Sequence, residues 1–206
     1  MRLFLCLLLL ALPAFAQTQL PALYEVTGVS EDDVLNIRTA PTADAAIIGA
    51  FTPGQSGIEV ISIDGNWGMV NSGEQSGWTS MRYLMQQANT QDIPVAEQAF
   101  SCYGTEPFWS LTHTPAQSIL LNALYSEKTL SLPNPTVTFP IGFVPRDGVL
   151  VAKDDTSRLT AFVNLQSCND GMSDRQFGMS ISVLVEGISS PDDSYVLKGC
   201  CTLTPP

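Results

Sequence analysis

The 206-residue sequence predicts an all-β protein: a small barrel, then a second antiparallel β-barrel or sandwich stapled by disulfides. Three observations carry this. Up to Leu84, short apolar–polar alternations are separated by Pro- and Gly-containing turns. Beyond Phe100 the alternation lengthens, with Leu159, Ala161, Val163 and Leu165 on one face of a strand. No segment sustains the 3.6-residue period of a helix.

The elements follow in order. Residues 1–16 read as a secretory signal peptide: one basic residue (Arg2), an apolar run Leu3–Leu12, then Pro13 and Ala14-Phe15-Ala16. The run is too short to span a bilayer, and no later stretch of about 18 apolar residues exists, which excludes an integral membrane protein. Cys6 lies inside the run rather than just after it, against lipoprotein acylation. A soluble product is expected, periplasmic or secreted after cleavage near Ala16.

Residues 20–85 form the expected first domain. Leu35–Arg38 alternates, Ala40-Pro41-Thr42 breaks it, and Ala46–Phe51 resumes it before Pro53-Gly54. Ile58–Ile61 is the next strand and Asp64-Gly65-Asn66 a hairpin signal; Trp67–Val70 and Gly77–Thr79 follow. Strands this short suggest a small barrel. Residues 86–98 are polar, contain Pro94 and read as a linker.

Residues 99–206 form the second domain. Candidate strands are Pro107–His113, Ser118–Leu124, Thr129–Leu132, Thr136–Phe139, Val149–Lys153, Arg158–Leu165, Phe177–Val185 and Tyr195–Leu203. Seven or eight antiparallel strands make a sandwich or an up-and-down barrel. Leu132-Pro133-Asn134-Pro135 must be an edge or a break, because proline donates nothing to a ladder.

The formal charge is −11, and losing residues 1–16 removes Arg2 and no acid, giving −12. Phosphate backbones would repel such a chain, so nucleic acid is not an expected partner. At 45% hydrophobic and 14% charged residues, it is a packed protein rather than an acidic tail.

Four cysteines remain after cleavage, Cys102, Cys168, Cys200 and Cys201, and an even count in an exported chain reads as two disulfides. A Cys200–Cys201 bond would need a strained ring, since adjacent Cα atoms lie only about 3.8 Å apart. Two pairings stay open, each joining Cys102 and Cys168 to different members of the adjacent pair. With no C-x-x-C and one histidine (His113), no metal site and no cofactor is expected.

The first domain resembles bacterial Src-homology-3-like (SH3b) domains. The residues that carry this are Leu35-Asn36-Ile37-Arg38, Pro41, Ile48-Gly49, Pro53-Gly54, Ile58-Glu59-Val60, Trp67, Gly77-Trp78-Thr79-Ser80 and Tyr83-Leu84. The resemblance implies an envelope targeting or scaffolding module, some relatives of which bind peptidoglycan stem peptides. Tyr24, Trp67, Trp78 and Tyr83 are candidates for an aromatic groove suited to peptides or sugars; the competing reading puts both tryptophans in the core.

The second domain resembles a family of bacterial envelope proteins without an established activity. Its marks are Gly104-Thr105-Glu106-Pro107-Phe108-Trp109-Ser110-Leu111 after Cys102, Cys168-Asn169-Asp170-Gly171-Met172-Ser173-Asp174-Arg175, and Gly199-Cys200-Cys201. Relatives with two cysteines imply the pairs Cys168–Cys200 and Cys102–Cys201. Alternation agrees that Cys200 and Cys201 have separate partners, because they point to opposite faces of one strand.

Glu106, Asp170 and Asp174 could supply the acid and base of a hydrolase. Asp170 before Gly171 is equally a turn former, and Asp174 a cap for backbone N–H groups. Ser110 and His113, three apart on a strand, face opposite ways and form no triad. Of Phe108 and Trp109, on opposite faces, at least one should be visible from outside; Trp109 joins Glu106, Asp170 and Asp174 as a binding candidate.

The expectation is therefore a non-enzymatic envelope protein. Its first domain would tether it to peptidoglycan or an envelope protein, and its second would bind a small ligand or protein. The rivals are a periplasmic hydrolase using Glu106, Asp170 and Asp174, and an inhibitor of a wall-degrading enzyme.

Overall fold

Strand β1 (Ala22–Val26) sends alternate residues into two different cores. Ala22, Tyr24 and Val26 join a cluster with Leu35, Ile37, Ile58, Val60, Val70 and Leu84, while Leu23 between them joins the core of the C-terminal sheet. This computed structural model describes residues 19–88, 93–123, 128–141, 147–187 and 193–203; the expected signal peptide lies outside them.

The N-terminal part contains two small sheets. β1 pairs with β4 (Ile58–Val60) and with β8 (Leu84–Gln86) in a three-stranded sheet. A five-stranded sheet holds β2 (Leu35–Arg38), β3 (Ile47–Phe51), β5 (Ser62–Asp64), β6 (Trp67–Ser72) and β7 (Gln75–Ser80), in the order β3-β2-β7-β6-β5. Strands β1, β5 and β8 were not among the expected ones, being only three to five residues long, too short to show a clear alternation. Gly65 and Gly73 turn the β5–β6 and β6–β7 hairpins with φ of +57° and +61°, a region that favours glycine.

The C-terminal part is one curled nine-stranded half-barrel, one or two strands more than expected. Its strands are β9 (Phe100–Thr105), β10 (Phe108–Thr114), β11 (Ser118–Ala123), β12 (Lys128–Pro133), β13 (Thr136–Thr138), β14 (Gly148–Lys153), β15 (Arg158–Cys168), β16 (Phe177–Glu186) and β17 (Ser194–Leu203). The sheet is an antiparallel meander in which the first strand, β9, pairs with the last, β17. Its opening falls between β12 and β13, joined by Asn134 and Pro135, where the prolines leave two edges. The curl brings β12 and β14 within 8 Å between Cα atoms.

Odd-numbered residues point inward along most of these strands: Trp109 and Leu111, Leu159 to Val163, Met179 to Val185, and Leu197 and Cys201. β9 escaped the sequence reading because its inward residues are Phe100, Cys102 and Gly104, and glycine hides the alternation. That glycine makes room for a ring. A Cβ at Gly104 would clash with Nε1 of Trp109, and one at Gly199 would lie 2.8 Å from its Cζ2.

Cys102 and Cys201 face each other across the β9–β17 ladder and are disulfide-bonded inside the core, their Cα atoms 4.0 Å apart. Cys168 at the end of β15 bonds Cys200 on β17, reaching past β16. These are the pairs the second resemblance implied. The linker expectation, 86–98, needs correction at both ends: Gln86 closes β8 and the Gln87 N–H donates to the Leu23 carbonyl, and after residues 89–92, which lie outside the described set, Val95–Glu97 forms a 3-10 turn whose Ala96 is buried in the half-barrel core, with Gln98 also buried.

Candidate functional site

The two parts meet along a seam. On the N-terminal side are Leu23 and Glu59, directly opposite each other in the β1–β4 ladder. Leu23 enters the large apolar core, and the Glu59 carboxylate meets the end of β17. The Thr202 hydroxyl donates to one Glu59 oxygen at 2.6 Å and the Leu203 N–H to the other at 2.9 Å. Desolvation pushes the Glu59 pKa up to about 7 against the opposing pull of Thr202, Leu203 and Arg175. Further along, Asn71 and the Gln176 backbone exchange two hydrogen bonds at 2.8 and 3.2 Å. Asp174 adds a bridge: its N–H donates to the Glu74 carbonyl and its carbonyl accepts from the Ser76 N–H. A cleft of about 140 Å³ in the seam is lined by Gln55, Glu59, Asn71, Arg175 and Thr202. A second, of about 310 Å³, runs between Leu20, Ile61 and Met69 on one side and Leu165, Gln176 and Gly178 on the other.

The four aromatic candidates do not gather into a groove. Tyr24 is buried in the N-terminal core. Trp67 and Trp78 share a face of the β6–β7 hairpin with Met69, since Met69 opposes Trp78. Both are half-buried and neither belongs to the core, which corrects the core reading. The small inward residues Gly68, Gly77 and Thr79 occupy the positions the rings were expected to fill. Tyr83 sits on a 3-10 turn, packed at the margin of the core with the Arg82 guanidinium 5.5 Å from its ring. None of the clefts described here is lined by these four residues.

The second group separates as well. Trp109 is 2% exposed and fills the slot left by Gly104 and Gly199, so a ligand cannot reach it as folded; its neighbour Phe108 is the exposed one. Glu106 is exposed in the β9–β10 turn, before the cis Pro107. Asp170 is consumed by its own loop. Its carboxylate accepts the N–H groups of Met172 and Ser173 at 3.0 and 2.9 Å, and the Ser173 hydroxyl at 2.9 Å. Desolvation raises the Asp170 pKa, but these donors and Arg175 outweigh it and hold it below the ordinary carboxylate value. A carboxyl so held is a poor general acid. Asp174 works through its backbone at the seam rather than as a side-chain cap, and its side chain is exposed.

His113 is buried on β10 with its ring 4.9 Å from that of Phe100. The Ala96 backbone is a polar neighbour, yet neither ring nitrogen makes a well-formed hydrogen bond to a described residue. Desolvation pulls its pKa down to about 4, keeping the imidazole neutral. Ser110 lies on the opposite face of the strand. Among the described residues no group of three or more His, Cys, Asp or Glu is placed to hold a metal, and no helix is long and apolar enough to cross a membrane.

What the sequence reading missed is a groove on the outer face of the half-barrel, of about 390 Å³. Tyr103, Gly104, Ser180, Ser182 and Lys198 line one part of it, and Gln166, Cys168, Asn169 and Asp170 line another. A one-residue bulge between Leu165 and Cys168 interrupts the β15–β16 ladder beside the latter. Alternation identifies these residues as outward-facing but not as neighbours, because they come from β9, β15, β16 and β17. Compared with family models, with curated proteins and with solved structures, the chain finds no match in any of the three.

Proposed function

We propose that this chain is a non-enzymatic, exported cell-envelope protein, periplasmic or secreted, in which an SH3-like N-terminal module and the half-barrel act together to hold peptidoglycan or an envelope protein. The observation that carries this reading is the seam. Leu23 in the large core and the Glu59, Asn71 and Asp174 hydrogen bonds give the two parts a shared, ordered interface. Such an interface suits a scaffold presenting one continuous binding surface better than a module swinging on a tether. The carboxylates weighed for hydrolysis support it too: Asp170 is saturated by its own loop, and Glu106 and Asp174 are exposed.

The test is co-sedimentation of the whole exported chain with purified peptidoglycan over a salt series. Saturable pelleting supports the wall-binding form of the proposal, and its absence overturns that form. Release of soluble fragments from dye-labelled peptidoglycan, abolished by Asp170→Asn at unchanged Tm, would overturn the non-enzymatic reading.

A further inference from the structure

The groove on the outer face of the half-barrel is a built site. One register line runs across its floor, Asn164–Ser180–Cys200–Tyr103, through four adjacent strands. Its wall is fixed at three points. The Cys168–Cys200 disulfide ties it to β17, the Thr105 hydroxyl donates to the Asp170 carbonyl at 3.0 Å, and the Gln166 side-chain N–H donates to the Ser180 hydroxyl at 2.6 Å.

Those polar groups are thereby used. Four others are not: the side chains of Tyr103, Asn164, Ser182 and Lys198 make no hydrogen bond or ion pair with a described residue. The Tyr103 side chain is 42% exposed. The groove thus offers an aromatic ring, an amide, two hydroxyls and one ammonium group.

The size falls within the range of about 300–1,000 Å³ typical of small-ligand sites, but such sites are mostly apolar and this one is not. An apolar ligand would strand the free polar groups. A polyanion would meet a single cation on a chain of net charge −11. A cation would meet Lys198, while Asp170, the acid in the lining, already has three donors. A ligand rich in hydroxyl and amide groups, with at most one carboxylate, satisfies all of these conditions.

We infer that the groove is a saccharide subsite for N-acetylated amino sugars. Tyr103 stacks on a ring, Asn164 and Ser182 hydrogen-bond its hydroxyl and acetamido groups, and Lys198 pairs with a carboxylate substituent. This rests on the envelope-binding reading and places part of it on the half-barrel.

The experiment is calorimetric titration of the whole exported chain with two soluble probes: an uncharged N-acetylated oligosaccharide, and a disaccharide in which one N-acetylated ring carries a carboxylate. Both should bind, the acidic one more tightly. Tyr103→Ala should weaken both by about tenfold, the scale of one lost ring contact. Lys198→Met should weaken only the acidic probe, by about tenfold or more. Neither side chain belongs to a core, so both variants should still melt cooperatively, with Tm lowered by a few degrees at most. Heat from neither probe, or unchanged affinities in both variants, overturns the subsite. If the variant carrying both Tyr103→Ala and Lys198→Met also pellets with peptidoglycan as the parent does, the subsite fails and the envelope reading stands. Saccharide binding without pelleting supports the subsite and overturns wall attachment.

Discussion

Leu23 and Glu59 occupy opposite positions in the β1–β4 ladder and both leave their own small core to engage the half-barrel. One contributes apolar area and the other a carboxylate whose two oxygens meet Thr202 and Leu203. The raised Glu59 pKa predicts that the docking of the two parts responds to pH.

The Glu59 pKa rises from 4.5 to about 7 on folding, so the folded state binds the extra proton between those values. Its stabilisation is complete below pH 4.5 and is lost as pH rises through 7. The loss amounts to something on the order of 3 kcal/mol. Glu59→Gln stays neutral and can keep both contacts, its oxygen accepting the Leu203 N–H and its NH2 donating to the Thr202 hydroxyl. Thermal unfolding from pH 4 to 8 should show the parent losing stability relative to Glu59→Gln, with the variant melting higher at pH 8. Parallel curves would show that Glu59 is solvated at the seam.

His113 acts in the opposite sense. Its folded pKa of about 4 lies below the ordinary 6.5, so its contribution is complete above pH 6.5 and is lost as pH falls towards 4. The penalty at pH 4 is on the order of 3 kcal/mol. His113→Leu should remove this acid-side loss and cost little at neutral pH, since no well-formed hydrogen bond is forfeited. Urea midpoints at pH 4.5 and 7.5 check it. A variant as acid-sensitive as the parent refutes the assignment.

Gly104→Ala should be among the most damaging single methyl additions in the chain. The new methyl would occupy the place of the Trp109 indole, and overpacking of this kind costs about 3 kcal/mol. Gly171→Ala is the control: nothing lies within 4 Å, and only its φ of +73° opposes the change, at about 1–2 kcal/mol. Urea denaturation measures the difference, and near-UV circular dichroism should register the displaced ring in the first variant alone.

The two disulfides should differ in what their loss does. Cys102–Cys201 closes a separation of 99 residues and Cys168–Cys200 one of 32. The chain-entropy term alone is about 4.7 kcal/mol for the first and about 3.7 for the second. Double alanine replacement of the core pair should therefore lower stability more. Replacement of the outer pair should loosen the Gln166–Asp170 wall, seen as faster amide exchange there with β9 and β10 still protected. Equal exchange in both variants would deny the wall its dependence on Cys168–Cys200.

Much of the half-barrel was legible, and for a local reason. Period-two alternation along β10, β15, β16 and β17 declares which side chains face inward, and it sends Cys200 and Cys201 to opposite faces. The prolines around Asn134 marked the opening of the sheet. β9 was lost to the glycine that accommodates Trp109. Trp67 and Trp78 were misjudged because alternation says two faces exist without saying what covers each. Here Met69 and Asn71, on the tryptophan face, turn to the half-barrel.

By itself the sequence determined the all-β class, the inward faces of the long strands, the four cysteines placed in the second half of the chain and the acidic charge. Tertiary structure alone decided that Glu59 meets Thr202 from 143 residues away, that Ala96 seals into the second core, and that Tyr103, Asn164, Ser182 and Lys198 share one groove. The physical reason is range. Strand periodicity is written in neighbours two residues apart, whereas register, bulge and sheet curl set which strands lie side by side, and no local pattern encodes that.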